Sequence, residues 1–329
     1  LAGSEAAWQA AERGISVVLY EMRPHVPTVV HKTDLCAELV CSNSLGSNQE
    51  TNAPFILKEE LRNLNSLIMR AADKHAVPAG GALAVDRDLF SREITQAILE
   101  HPNIDFKREE VGEISFDGPV IVATGPLTTP SLSNYISDLV GQNYLYFYDA
   151  LSPIVDSASI DYEKAFFASR YDKGGDDYLN CGMSEAQYHD FVHELKGADK
   201  VARKPFEKPV YFEGCMPIEE LALRGDMTLA FGPFKPVGLC HPKTGERYFA
   251  VVQLRRENKQ GTAYNLVGFQ TKLTYPEQKR LVRMIPGLEN SEFFRFGAIH
   301  RNTFINAPVL LSQDLSLKIR PNIYFAGQI

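Results

Sequence analysis

The stretch LAGSEAAWQAAERGISVVLYEMRP (Leu1–Pro24) decides the fold. Its Ala-rich residues from Ser4 to Glu12 predict a helix, ISVVLY (Ile15–Tyr20) predicts a strand, and Glu21 falls where that strand ends. This is the second half of a dinucleotide-binding unit, in which backbone amides and the positive end of a helix approach a pyrophosphate. Gly3 stands where the third glycine of such a motif lets helix and strand pack closely, and Glu21 lies 18 residues on, where a carboxylate holds a ribose hydroxyl. The reading places a strand and two further glycines ahead of Leu1.

Outward from that unit, the first ~125 residues alternate strand and helix, the pattern of a helix-covered parallel sheet. A single long helix is expected from Pro54, with Leu57, Leu61, Leu64, Ile68 and Ala71 on its inner face. ALAV (Ala82–Val85) reads as a strand, DRDLFSREITQAILEH as a helix opened by an Asp, and NIDFKREEV and EISFDGPVIVATG as strands. VIVATG, stopped by Thr124-Gly125-Pro126, and IYFAGQ, stopped by Gly327, both deliver a strand end to the ligand-binding edge of one sheet. From about Tyr135 to Pro286 the chain turns aromatic and short-stranded, and Ser184 with Gln187 forms a capping box opening a helix to about Lys196. The expected fold class is α/β: a Rossmann-like FAD-binding domain of the glutathione-reductase type from residues 1–135 and 286–329, incomplete at both ends, with an inserted α+β substrate domain over 136–285.

Composition is that of a soluble globular protein, 44% hydrophobic and 23% charged, with neither a membrane-spanning run nor a signal peptide, so a cytoplasmic location is expected. Net charge is −7, yet Lys196–Arg301 carries 18 basic against 11 acidic residues, which suggests that this half meets a polyanion. Five scattered cysteines exclude a disulfide framework, and no spacing suits a metal. Two stand out. Cys41 follows a short apolar run and precedes a Ser-Asn-Ser-Leu-Gly loop able to offer hydroxyls and amides to a flavin or phosphate. Cys215 precedes Met216 and Pro217, so a helix N-terminus beside it is expected to favour its thiolate, against the charges of Glu213 and Glu219.

LAGSEAAWQAAERGI, LYEMRP, ELVCSNS, FEGCMPIEE, HRNTFINAP and YFAGQI together resemble the TrmFO branch of the MnmG/TrmFO flavoprotein family, bacterial folate- and FAD-dependent tRNA (uracil-5-)-methyltransferases, from the first residue to the last. The resemblance implies FAD as cofactor, 5,10-methylenetetrahydrofolate as carbon donor, NAD(P)H as reductant and the T-loop uridine of tRNA as target. It implies Cys215 as the nucleophile that adds to carbon 6 of uracil, and Cys41 as a second functional cysteine near the flavin. It carries FAD contacts onto Gly3, Glu21, Arg23, Ser42, Asn43, Gly125 and Gly327. Candidate tRNA and folate contacts are Arg255, Arg256, Lys272, Arg283, His300 and Arg301, with Lys259, Lys279 and Arg280 beside them. An MnmG-like enzyme modifying the tRNA wobble uridine, a flavin oxidoreductase of a small molecule, and a flavin-holding tRNA chaperone stand as alternatives.

Overall fold

The computed structural model describes residues 1–28, 30–141, 145–170, 175–201 and 210–329. The opening helix, Ala2–Glu12, buries Ser4, Ala7 and Ala11 and leads to the strand Val17–Glu21. That strand pairs in parallel with Ile104–Arg108, Glu21 facing Arg108 in the register. A second parallel pair, Val120–Val122 with Arg320–Phe325, brings the other two glycine-ended strands side by side. Short apolar side chains let the helix lie close to these strand ends: a Cβ added at Gly3 would sit 3.4 Å from that of Ala123.

Two local expectations fail. The expected long helix is two helices, Ala53–Asn63 and Leu67–Lys74, because Asn65 takes a left-handed conformation (φ 56°) and Ser66 starts the second by accepting from Met69 N at 3.2 Å. The break turns the apolar face of the first helix outward, leaving Leu57 61% and Leu64 55% exposed, while the second buries Leu67, Met69, Ala71 and Ala72. The expected strand from Glu113 shrinks to Val120–Val122, since Phe116-Asp117-Gly118 interrupts any pairing before it. Elsewhere the chemistry of the ends holds: Asp86 caps Arg87–Glu100, and Ser184 and Gln187 make the reciprocal box of Glu185–Gly197.

A six-stranded antiparallel sheet occupies the middle of the chain, in the order Phe293–Arg295, Ile154–Asp156, Ala263–Leu266, Ala250–Arg256, Tyr178–Met183, Ala165–Ala168. Its core packs Leu179, Met183, Val252, Leu254 and Leu266 against Tyr188, Phe191, Phe234 and Phe269. Between this sheet and the parallel pairs runs a two-stranded antiparallel ribbon, Leu145–Ala150 with Ile299–Phe304. Among the described residues no helix is long and apolar enough to cross a membrane.

One glycine in the six-stranded sheet is fixed by packing. A Cβ on Gly182 would lie 2.2 Å from the ring of Tyr248, which stacks on Phe166 at 5.4 Å. Gly182→Ala is expected to lower stability by about 1–3 kcal/mol by overpacking, read as a drop in the melting temperature with the far-ultraviolet spectrum unchanged.

Candidate active site

The ribbon positions the site. Residues directly opposite in an antiparallel pair share a face, and the register pairs Leu145 with Phe304, Phe147 with Asn302 and Asp149 with His300. One face of the ribbon therefore carries all six. At its Leu145 end, Leu145, Phe147, Phe304 and Gly327 line a cavity of about 440 Å³. At its other end, four residues or about 13 Å along the strand, lies Asp149. Gly327 itself holds φ 80°, and a Cβ there would come within 3.0 Å of Ala2, so only glycine lets this turn meet the tip of the opening helix.

Both cysteines singled out from the sequence arrive at the Asp149 end. Tyr148 N donates to Val210 O at 2.7 Å and Phe212 N to Tyr148 O at 3.4 Å, so the segment before Cys215 lies along the free edge of the ribbon. A single 3₁₀ turn, Glu213–Cys215, then turns the thiol inward. Cys41 comes from the loop before Ser44–Ser47 and points at Ala150 O, 3.8 Å away. The two sulfurs stand 3.9 Å apart, and one oxygen of Asp149 and both sulfurs all lie within 4.8 Å of one another.

The loop bearing Cys41 is clamped by two arginines. Arg87 donates to Leu39 O and, at 3.3 Å, to Cys41 O, while pairing with Glu257 at 2.5 Å. Arg295 donates to Val40 O at 3.1 Å and to Cys41 O at 3.4 Å, and burial together with the neighbouring Arg87 lowers its pKa to about 10. The contact with Cys215 lowers the pKa of Cys41, burial and Asp149 oppose that, and Arg87 and Arg295 assist. The same contact pushes Cys215 well up, followed by burial and Asp149. The contact therefore drives the two thiols in opposite directions, Cys41 down and Cys215 up.

That corrects the expectation of a helix-stabilised thiolate at Cys215. The helix after it begins at Ile218 with Pro217 as its cap residue, and Cys215 itself closes the preceding 3₁₀ turn. The acids expected to oppose ionisation are also elsewhere engaged. Glu213 pairs with Arg224 at 2.8 Å, and Glu219 is buried against Thr271 Oγ1 and Lys272 N.

The remaining expected site residues divide. Gly3, Gly125 and Gly327 gather at the tip of the opening helix and the ends of the two strands beside it. Burial alone would raise Glu21, but bidentate hydrogen bonds from Arg23 at 2.9 and 3.0 Å hold its carboxyl below the usual range, and Arg23 also reaches Glu38. Asn43 is fully buried, donating to Val85 O and Arg256 O, and with Ser42 it accepts from Arg255 at 2.8 and 2.7 Å. Arg255 is therefore an internal brace rather than a surface cation. Lys272 is likewise buried on Glu220 and Tyr211, and Arg283 pairs with Glu292 at 3.0 Å. Arg256 lies over the Phe167 ring at 5.8 Å and the exposed Arg301 over Tyr146 at 4.3 Å. His300 is buried, its Nε2 3.9 Å from Asp149. Sequence reasoning missed Asp149, Arg87 and Arg295; the signal for Asp149 was a lone acid inside the aromatic strand LYFYDA.

A flavoprotein-type nucleotide fold joined by one ribbon to a pair of cysteine sulfurs is the class that this geometry defines. The chain belongs to the family of glucose inhibited division protein A, whose profile matches residues 1–329. It is 59% identical to methylenetetrahydrofolate–tRNA-(uracil-5-)-methyltransferase TrmFO of Heliobacterium modesticaldum, over the whole of this chain and 75% of that protein. To TrmFO of Citrifermentans bemidjiense it is 60% identical, over the whole chain and 76% of the relative. The fold is shared with Aquifex aeolicus GidA at a TM-score of 0.71 and 16% identity, covering 99% of this chain and 57% of that one.

If the contact drives the two thiols apart as described, iodoacetamide will modify Cys41 at lower pH than Cys215, as read by peptide mass. Cys41→Ser will move Cys215 modification toward lower pH, because the contact that raises it is gone.

Proposed function

We propose that this chain carries the active site of a folate-dependent tRNA methyltransferase that places a methyl group on carbon 5 of a uridine, the T-loop uridine, with NAD(P)H as the source of electrons. The observation that supports it is the pair of cysteine sulfurs 3.9 Å apart at the end of the aromatic ribbon, in a chain 59% identical to a TrmFO. The domain reading goes with it: residues 1–135 and 286–329 hold the cofactor, and 136–285 meet the tRNA.

The residues fit FAD. The opening helix has no side chain capping its first amides, Gly3 and Gly327 keep Cβ atoms out of its tip, and Glu21 ends the adjoining strand. Gly3, Gly125 and Gly327 would line the dinucleotide, Glu21, oriented by Arg23, would hold a ribose hydroxyl, and Phe147 and Phe304 would wall the ring system. Bound FAD supplies the reducing equivalents that turn a transferred methylene into a methyl group.

Carbon 5 of uracil is a poor nucleophile until a thiolate adds to carbon 6 and leaves enolate character at carbon 5. The sulfur assigned that addition is Cys215, from the FEGCMPIEE stretch, and Cys41, 3.9 Å away, is the second functional thiol. A uridine stacked in a folded loop has to be turned out to reach the sulfurs, at a cost of about a few kcal/mol. Among the described residues His300 Nδ1, Asn302 Oδ1 and Arg295 Nε are buried without a hydrogen-bond partner around this point, which suits a substrate rich in carbonyl and N–H groups.

The reading is tested by Cys41→Ala and Cys215→Ala. Both should purify with the visible absorbance of bound flavin, and neither should form 5-methyluridine in tRNA from methylenetetrahydrofolate. Full product from either variant removes that thiol from the chemistry, and turnover by the unaltered protein that needs no tRNA overturns the function.

A further inference from the structure

Cys41, Asp149 and Cys215 come from a loop, a strand and a 3₁₀ turn spread over 174 positions of the chain, so no spacing in the sequence marks them as a set. The fold makes them one. Among the described residues they are the only set of three or more histidine, cysteine or acidic side chains whose ligand atoms all lie within 4.8 Å of one another. Two thiolates on one tetrahedral zinc, each about 2.3 Å from it, stand about 3.8 Å apart. The sulfurs of Cys41 and Cys215 are 3.9 Å apart. Sulfur ligands select a soft ion such as zinc over magnesium or calcium. The carboxylate is braced from behind, as a metal-ligating carboxylate is: Ala150 N donates to Oδ1 at 3.0 Å and Asn302 Nδ2 to Oδ2 at 3.4 Å, with Asp149 8% and Asn302 1% exposed. The charges also match. Two thiolates and a carboxylate around Zn²⁺ leave one negative charge, and Arg87 and Arg295, which donate to the Cys41 carbonyl at 3.3 and 3.4 Å, stand on the loop side of it.

We propose that Cys41, Cys215 and Asp149 bind Zn²⁺ through three protein ligands, with the fourth tetrahedral position open, and that the bound ion inhibits methyl transfer. The inhibition rests on the function proposed above; the site does not. On binding, each S–H bond is replaced by an S–Zn bond, both thiol protons go to solvent, and no electrons are exchanged. The sulfur that adds to carbon 6 of uracil is then a metal ligand, and its lone pair is no longer free for that bond. With one position left to water, a chelator can reach the ion and reverse the block.

The test titrates Co²⁺ and then Zn²⁺ into the reduced, FAD-loaded protein carrying Cys240→Ser, which removes the exposed cysteine beside His241 as a competing ligand. We expect one Co²⁺ per chain, with sulfur-to-cobalt charge-transfer bands and the intense visible bands of tetrahedral cobalt, displaced by an equivalent of Zn²⁺. Loss of an outer-shell partner costs about 10–100-fold in metal affinity, so Cys41→Ser, Cys215→Ser and Asp149→Ala should each weaken binding by about 10²-fold or more. Zn²⁺ should also shield Cys41 and Cys215 together from iodoacetamide in the unaltered protein, read by peptide mass, and this answers alone if a variant does not fold. Zn²⁺ should suppress 5-methyluridine formation over the concentration range that fills the site, and EDTA should restore it. Cobalt bands without sulfur charge transfer, unchanged affinity in any of the three folded variants, shielding of one cysteine only, or full product from the zinc-loaded enzyme overturns the proposal. Absence of product from the zinc-free wild type overturns the underlying function instead, while the spectra still decide the site.

Discussion

The strand Leu145–Ala150 is the constraint on which the site depends, because both of its edges are occupied. Ile299–Phe304 pairs along one, and the backbone of 210–212 bonds along the other through Tyr148. A strand held on two sides keeps its side chains at fixed heights, so Phe147 and Asp149 cannot change their separation without breaking a ladder. Gly327 at one end and the thiols at the other are then related by a rigid ruler of about 13 Å. Preorganisation of this kind is what covalent catalysis needs from a scaffold, since a misplacement of about 1 Å can cost 10²-fold in rate.

Electrostatics decides how the two sulfurs share the work. Neither sits at a helix end that could favour its anion, so the asymmetry comes from side chains. Arg87 and Arg295 grip the backbone of Cys41 and lie on its side of the pair, whereas Asp149 stands behind Cys215. The contact between the sulfurs is the largest cause of both shifts, Asp149 opposes ionisation of either, and Arg87 and Arg295 assist Cys41 alone. Glu257 binds Arg87 and so keeps the clamp from being an unpaired buried charge. Part of the basic excess of the middle region is used in this inward fashion, Arg255 bracing Ser42 and Asn43 and Lys272 buried on Glu220, while Arg280 and Arg283 pair with glutamates at the surface. A count of charges along the chain could not distinguish such cations from a surface facing a polyanion.

The parallel pairs, the glycine-ended strands and the helix capped by Ser184 were legible in the sequence because each follows from local chemistry: period, cap and turn. The broken helix at Asn65 was not, because the apolar spacing from Leu57 to Ala71 continues across the break and only the left-handed conformation of one residue reveals it. Cys41 and Cys215 were legible as candidates through their flanking motifs. Their roles were not, since the contact that sets both pKa values joins residues 174 positions apart. Asp149 lies between them in the chain, in a strand whose partner starts only at Ile299, so its nearness to either sulfur is a property of register rather than of spacing.

The other cysteines explain what makes this pair chemical. Cys36 and Cys181 are buried, and burial is the largest cause pushing both thiols up. Cys240 is exposed and far in sequence from either strand of the ribbon. Cys215 is pushed up as well, so a raised pKa cannot by itself separate an inert thiol from a working one. The difference lies in what raises it. At Cys181 the dominant cause is burial, which disfavours charge in any form, whereas at Cys215 it is the contact with the Cys41 sulfur, with burial next and the Asp149 carboxylate after it, so this thiol is raised chiefly by a neighbouring reactive group.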